Sequence, residues 1–144
     1  MILNGFIFDP IRKKRVALTP EEGVRQNLMQ YLVEQKGYPQ SLISVEAPLK
    51  YAGRSKRTDL LVYNNSGQPL MLVECKAPDV AITNKVFEQI AVYNLAIKAP
   101  YLLVTNGINS YCMAVATQTT AQEFLSEIPV YEDLCQLCKN YVIL

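Results

Sequence analysis

Apolar residues recur along the chain at two different periods, and the places where the period changes mark the elements. Val24, Leu28, Tyr31 and Leu32 stand at helical spacing behind a start signal: Thr19 as N-cap, Pro20 in the first turn, and Glu22 three residues on as a capping-box partner. Gly37 ends that helix. A second helix is predicted over residues 82–98, with Val86, Phe87, Ile90, Tyr93 and Ile97 as its apolar stripe. Between the two the pattern turns extended. Residues 42–51 alternate loosely as a first core strand, and residues 58–63 form a second. The turn signal Asn64-Asn65-Ser66-Gly67-Gln68 then leads to a third strand at residues 69–76. Residues 101–105 and 110–117 add two more strands, separated by a tight turn at Asn106-Gly107. Near the N-terminus, residues 6–9 and 15–18 suggest a short hairpin or extended arm. Residues 118–122 are polar, and residues 130–144 read as a helix with a short extended end. Helix, three strands, helix, two strands is an α/β order, and it predicts a mixed sheet with helices on its faces.

The third strand is interrupted in an informative way. Leu70, Leu72 and Glu74 share one face by alternation, while Met71, Val73 and Cys75 line the other. A strand apolar on both faces belongs inside a sheet covered on both sides. Glu74 and Lys76 then place opposed charges on one face, roughly 7 Å apart by strand rise. Upstream, Asp59 stands at the mouth of the second strand. A short loop makes these two strands antiparallel, which brings Asp59 and Glu74–Lys76 towards the same end of the sheet.

Composition narrows the chemistry. The 144 residues fit one domain, half of them are apolar, and the net charge is +1, so the chain is globular. No apolar run approaches the roughly 20 residues that span a bilayer, and the N-terminal stretch is not signal-like, so a cytoplasmic protein is expected. Histidine is absent, which excludes Ser–His–Asp and Cys–His catalysis and His-ligated zinc. Cys75 and Cys112 lie in apolar strand patterns, and Cys135 and Cys138 have the i, i+3 spacing of helix packing residues. Near-neutral charge gives no global argument for nucleic acid, but two basic runs stand out. Arg12–Lys13–Lys14–Arg15 serves equally well as a solvated loop; Lys50, Arg54, Lys56 and Arg57 precede Asp59 and would form a cationic rim.

Carboxylates, lysine, tyrosine, cysteine and a bound hard metal remain to do the work. Phosphodiester hydrolysis needs an attacking water, relief of charge on the phosphate oxygens and a stabilised leaving group, and a divalent cation helps with the first two. Mg²⁺ prefers oxygen donors and keeps several waters, so one or two carboxylates suffice. Asp59 and Glu74 fit as metal ligands, with the backbone carbonyl of Cys75 as a further donor. Lys76 would orient or help deprotonate the water and neutralise charge. Glu22 is either an additional site acid or the capping-box residue, and Glu21 is the other acidic candidate in that helix. Gln89 and Tyr93, four apart, share a helix face that either points at the site or borders the core.

Asp59, Glu74-Cys75-Lys76 and Gln89-x-x-x-Tyr93 together resemble the PD-(D/E)XK nuclease superfamily, in its branch with a Q-x-x-x-Y motif. More closely, residues 20–26, the Asp59 strand, VECKAP (73–78), QIAVYN (89–94) and LLVTNG (102–107) are similar to the N-terminal nuclease domain of type I restriction enzyme R subunits. The resemblance implies a restriction-endonuclease-like mixed sheet with an α-β-β-β-α-β core. It also implies DNA cleavage with Mg²⁺ or Mn²⁺, catalytic roles for Asp59, Glu74 and Lys76, and Glu22, Gln89 and Tyr93 near the site. Thr58 stands where a proline commonly precedes the motif aspartate. R subunits continue into a helicase motor, and no G-x-x-x-x-G-K-[ST] occurs here. Motor and specificity subunits on separate chains are therefore one implied arrangement. A homodimer is another, because one site cuts one strand. Two further readings compete: a non-cleaving nucleic-acid-binding module on the same fold, and a structural salt-bridge cluster in an ordinary α/β domain.

Overall fold

A computed structural model describes residues 2–45, 48–51, 54–57 and 59–138, with side chains described for 2–45 and 59–137. In chain order the elements are β1 (Ile2–Leu3), β2 (Phe6–Asp9), β3 (Lys14–Ala17), α1 (Pro20–Lys36), β4 (Ile43–Val45), β5 (Pro48–Tyr51), β6 (Arg54–Arg57), β7 (Leu60–Tyr63), β8 (Pro69–Cys75), α2 (Asn84–Ile97), β9 (Tyr101–Thr105), β10 (Ser110–Ala114), β11 (Glu123–Leu125) and α3 (Tyr131–Cys138). The central sheet runs β11-β10-β9-β8-β7-β4. Only its β8–β9 pairing is parallel, and α2 makes the crossover between those two strands. The result is the mixed, helix-flanked α/β sheet that the pattern predicted. No helix among the described residues is long and apolar enough to cross a membrane.

Local chemistry fixes the helices that carry the site. Thr19 Oγ1 accepts the Glu22 amide at 3.1 Å, and Gly37, at φ +72°, takes the left-handed turn that ends α1. At the far end of α2 the buried Asn94 closes a two-way bridge. Its Nδ2 donates to the Ala99 carbonyl, and its Oδ1 accepts the Ala99 amide, both at 2.9 Å.

The sheet is covered on both sides. Leu60, Val62, Met71, Val73, Cys75 and Leu103 pack with Val24, Leu28 and Leu32 of α1 and Leu134 of α3. On the opposite face Leu61, Leu72, Leu102, Val104 and Met113 pack with Ile90 of α2. Leu70 departs from the alternation and joins the α1 side. A bulge between Val62 and Tyr63 pairs Met71 with Val62 and Pro69 with Tyr63, which leaves Leu70 as the extra residue.

Three stretches differ from the pattern. Residues 42–51 are not one strand: a 3₁₀ turn at Gln40–Leu42 leads into the short β4, and β5 then pairs with β6 in a separate hairpin. Pro48, which opens β5, has no amide to donate to a central ladder. The strand from Ser110 stops at Ala114: the Val115 amide still donates in register to the Pro100 carbonyl, but Pro100 has no amide to return, and Thr117 Oγ1 then gathers the Thr119 and Thr120 amides. Three residues past that turn, β11 adds an unexpected edge strand against β10. Residues 139–144, including the expected extended end, lie outside the described residues.

Candidate active site

Two strand ends set the geometry. Leu60 pairs with Val73, so Asp59 and Glu74 are the next residues outward on β7 and β8, side by side at one end of the sheet. The Cys75 amide donates to Asp59 Oδ2 at 2.7 Å, which ties the carboxylate to the neighbouring strand. Past the end of β8, the Lys76 amide continues the ladder by donating to the Thr105 carbonyl at 2.8 Å. Its ammonium turns back to Glu74, with Nζ 3.1 Å from Oε1. The convergence expected from the short 64–68 loop is present: Asp59, Glu74 and Lys76 form one cluster.

The electrostatics of that cluster are unusual for acids at a surface. Burial pushes the Glu74 carboxyl up to about 7; the negative charge of Asp59 pushes the same way, Lys76 pulls part of the way back, and Glu21 adds a smaller upward push. Burial alone would lower the Lys76 ammonium, but the charges of Glu74, Glu21 and Asp59 outweigh it and hold the group above its ordinary range. Lys76 is therefore a cation here, suited to neutralising charge rather than to accepting a proton.

A buried arginine, which sequence reasoning missed, completes the cluster. Arg25 of α1 donates to Asp59 Oδ1 at 2.6 Å, lies 2.9 Å from Glu22 Oε1 and reaches Glu21 at 3.4 Å. Its guanidinium is held above the usual value because the hydrogen bond to Asp59 and the surrounding acids outweigh its burial. The signal was available in outline. Arg25, Leu28 and Leu32 stand at i, i+3 and i+7, so a charge occupies a core stripe.

Glu22 takes neither of its two expected roles in simple form. Its amide is capped by Thr19, but the Thr19 amide goes to the Ala17 carbonyl, so the reciprocal half of the capping box is not made. The Glu22 carboxylate instead binds Arg12 at 2.6 Å, Arg25, and Gln26 Nε2 at 3.2 Å. Glu21, half-exposed in the same turn, is the α1 acid whose charge reaches Glu74 and Lys76.

The remaining candidates are placed as follows. Gln89 Nε2 donates to the Tyr93 hydroxyl at 3.0 Å on α2, the helix that covers the face from which Glu74 projects; Gln89 is exposed. The first basic run is split: Arg12 is nearly buried against Asp9 and Glu22, whereas Lys13, Lys14 and Arg15 are exposed. Lys50, Arg54, Lys56 and Arg57 fall on the β5–β6 hairpin, and their side chains lie outside the description, as does that of Cys138. Thr58 lies outside the described residues altogether. Cys75 and Cys112 are buried free thiols in the core, and burial pushes Cys112 up to about 12. Cys135 is a half-buried free thiol on α3. Beside the cluster, α1 and the β9–β10 turn enclose a cleft of about 640 Å³, bordered by Asn27, Tyr31, Pro78 and Ile108.

Two adjacent carboxylates that repel one another, one of them driven towards neutrality, are chemically matched to a hard divalent cation. Among the described residues no three His, Cys, Asp or Glu side chains gather as a ligand set, and Asp59 and Glu74 are a pair that could hold a cation. That number suits Mg²⁺, which retains waters, better than a metal that needs a full protein cage.

Comparison with known proteins agrees with this architecture. The family described as the type I restriction enzyme R protein N terminus matches residues 20–129. Among solved structures, the chain is similar to a fragment assigned as an HsdR subunit of a type I restriction enzyme from Vibrio vulnificus YJ016. The TM-score is 0.63 at 19% identity, over 83% of this chain and 25% of that one. It is also similar to a DUF820 protein assigned as a nuclease from Anabaena variabilis ATCC 29413, with a TM-score of 0.52 at 12% identity, over 94% of this chain and 85% of that one. At these identities the structural likenesses establish the fold. The chain spans a quarter of the Vibrio fragment. No curated protein matches.

Proposed function

The chain belongs to the type I restriction enzyme R protein N-terminus family, and from that membership we propose that it is a metal-dependent endonuclease module hydrolysing DNA phosphodiester bonds. The observation that carries the proposal is Glu74. Its carboxyl sits beside Asp59 at the end of a buried strand, and burial and that neighbour lift it to about 7. A structural cluster has little reason to press two acids together, whereas a cation-binding site requires it.

Asp59 and Glu74 would hold Mg²⁺ or Mn²⁺, with the Cys75 carbonyl as a further oxygen donor. A cation bound there relieves charge on the phosphate and acidifies an attacking water. The protein groups do the rest. Lys76, as an ammonium 3.1 Å from Glu74, lies where it can meet a non-bridging phosphate oxygen and stabilise the charge that develops on it. Glu74 has a proton to release when a cation arrives, so affinity for the cation rises as pH passes through about 7. The Gln89–Tyr93 pair, on the helix over the same sheet face, is assigned to contacts with the substrate backbone. Lys50, Arg54, Lys56 and Arg57 are assigned to phosphates flanking the cut.

The substrate is DNA, and other type I subunits are the natural partners, because the family is named for the R protein of a type I restriction enzyme and the similar Vibrio fragment for a subunit of one. One site hydrolyses one strand, so double-strand cutting calls for two copies. A specific observation favours a second reading, in which the fold binds nucleic acid without cutting. Arg25 already supplies a positive partner to Asp59 Oδ1. Nicking of supercoiled plasmid with Mg²⁺ or Mn²⁺ separates the two. Cleavage by the wild type, reduced at least about 100-fold by Asp59→Ala and by Lys76→Ala, supports the nuclease. Equal cutting by all three proteins removes the site assignment. Absence of cutting by any of them, with DNA binding intact, selects the non-cleaving module.

A further inference from the structure

Five charged side chains alternate in sign from the N-terminal sheet, in which β1, β2 and β3 pair antiparallel, to the candidate site: Asp9, Arg12, Glu22, Arg25 and Asp59. Asp9 accepts the Ile11 and Arg12 amides and the Arg12 guanidinium. Arg12 Nη2 lies 2.6 Å from Glu22 Oε1, Glu22 lies 2.9 Å from Arg25 Nη1, and Arg25 Nη2 lies 2.6 Å from Asp59 Oδ1. No member of the chain has a side chain more than 13% exposed. Replacing buried ion pairs of this kind by apolar side chains of the same volume is often neutral or stabilising, so stability alone is a weak account of the relay.

The geometry at its inner end supplies that role. Both oxygens of Asp59 are held, Oδ1 by Arg25 and Oδ2 by the Cys75 amide, so the carboxylate cannot rotate without breaking one of them. Arg25 serves the acids at the expense of its own donors: among the described residues its buried Nε has no hydrogen-bond partner. Glu22 in turn fixes Arg25, and Arg12 fixes Glu22 from outside α1. Asp9 and Arg12 precede the segment matched by the family, residues 20–129.

We propose that Arg25 is a positioning residue that orients Asp59 for cation binding. Arg12, acting through Glu22, positions Arg25, and the N-terminal sheet is thereby part of the site's scaffold. The proposal rests on the nuclease reading and adds residues that neither touch substrate nor bind the cation. It also assigns Glu22 its part in the site, which is to act through Arg25.

Calorimetric titration of the full chain with Mn²⁺ tests it, on proteins whose far-UV circular dichroism is native at the titration temperature. Wild type is expected to bind. Arg25→Gln weakens binding by about 10- to 100-fold, the range seen when supports of metal ligands are removed. Arg25→Lys, which keeps the charge but loses the forked contact to two acids, falls between. Arg12→Gln, three links from Asp59, weakens binding several-fold. A purely structural network would lower the melting temperature and leave Mn²⁺ affinity of the folded protein unchanged. Unchanged or tighter binding by Arg25→Gln and Arg12→Gln overturns the proposal, the tighter result marking Arg25 as a competitor for Asp59. If Arg25→Gln does not fold, Arg12→Gln decides alone. If wild type takes up no Mn²⁺, the nuclease reading falls and this inference falls with it. Binding by wild type with unaltered variants removes the inference only.

Discussion

Replacing Glu74 with glutamine should stabilise the metal-free protein, and the gain should depend on pH in a defined way. The folded carboxyl titrates near 7 against an ordinary value of 4.5. Between those values the folded chain keeps a proton that the unfolded chain has released. Stability therefore falls as pH rises across that window, and the full cost is present above about 7. Below 4.5 both states are protonated and the cost vanishes. The separation corresponds to about 3 kcal/mol at pH 8, an upper figure because glutamine keeps only part of the contact with Lys76. For a chain of this length that is a rise in melting temperature on the order of 10 °C. The assay is differential scanning calorimetry with a chelator at pH 5, 6, 7 and 8. Glu74→Gln should melt close to wild type at pH 5 and well above it at pH 8. Adding Mn²⁺ should raise the wild-type melting temperature and leave the variant unmoved. A variant destabilised equally at every pH would refute the reasoning, because the Glu74–Lys76 pair would then be a net stabilising contact.

Arg25→Met should cost about 3–5 kcal/mol in urea unfolding, since it strands Asp59 and Glu22 as buried charges missing a partner; a loss under 1 kcal/mol would mean that water or another cation replaces it. Gly107→Ala should cost about 1–2 kcal/mol in the same assay. The residue sits at φ +85°, and an added Cβ would lie 3.2 Å from Val24 Cγ2. With iodoacetamide at pH 8, Cys75 and Cys112 should label only after denaturation, because both thiols are buried and pushed above their usual range, whereas the half-buried Cys135 should label in the native state. Mass-spectrometric mapping of the alkylated sites reads that difference directly.

What the sequence made legible was whatever depends on neighbours along the chain. The first helix runs from its Thr19 cap to its Gly37 stop, and the strand at 101–105 has the limits its composition gives, because caps and apolar runs are local signals. The meeting of Asp59 with Glu74 and Lys76 was legible for a related reason: a short loop forces two strands antiparallel, and only the register was missing. What failed was non-local. The bulge that moves Leu70 to the α1 side depends on how β8 meets β7. The edge strand β11 exists only because β10 offers it a ladder. Arg12 looks like an ordinary surface cation, and Arg25 shows only as a charge in a core stripe, until the fold brings acids from three separate segments around them. Glu22 was singled out by position, yet its partners could not be guessed, since one of them comes from the turn between β2 and β3.

The central claim is that Asp59 and Glu74 share one divalent cation. Anomalous scattering from a crystal soaked in Mn²⁺ tests it most directly. A single strong peak is expected between the two carboxylates, with Lys76 alongside and Arg25 still supporting Asp59. A Mn²⁺-soaked crystal with no peak there, Glu74 held only by Lys76 and Asp59 only by Arg25 and the Cys75 amide, would contradict it.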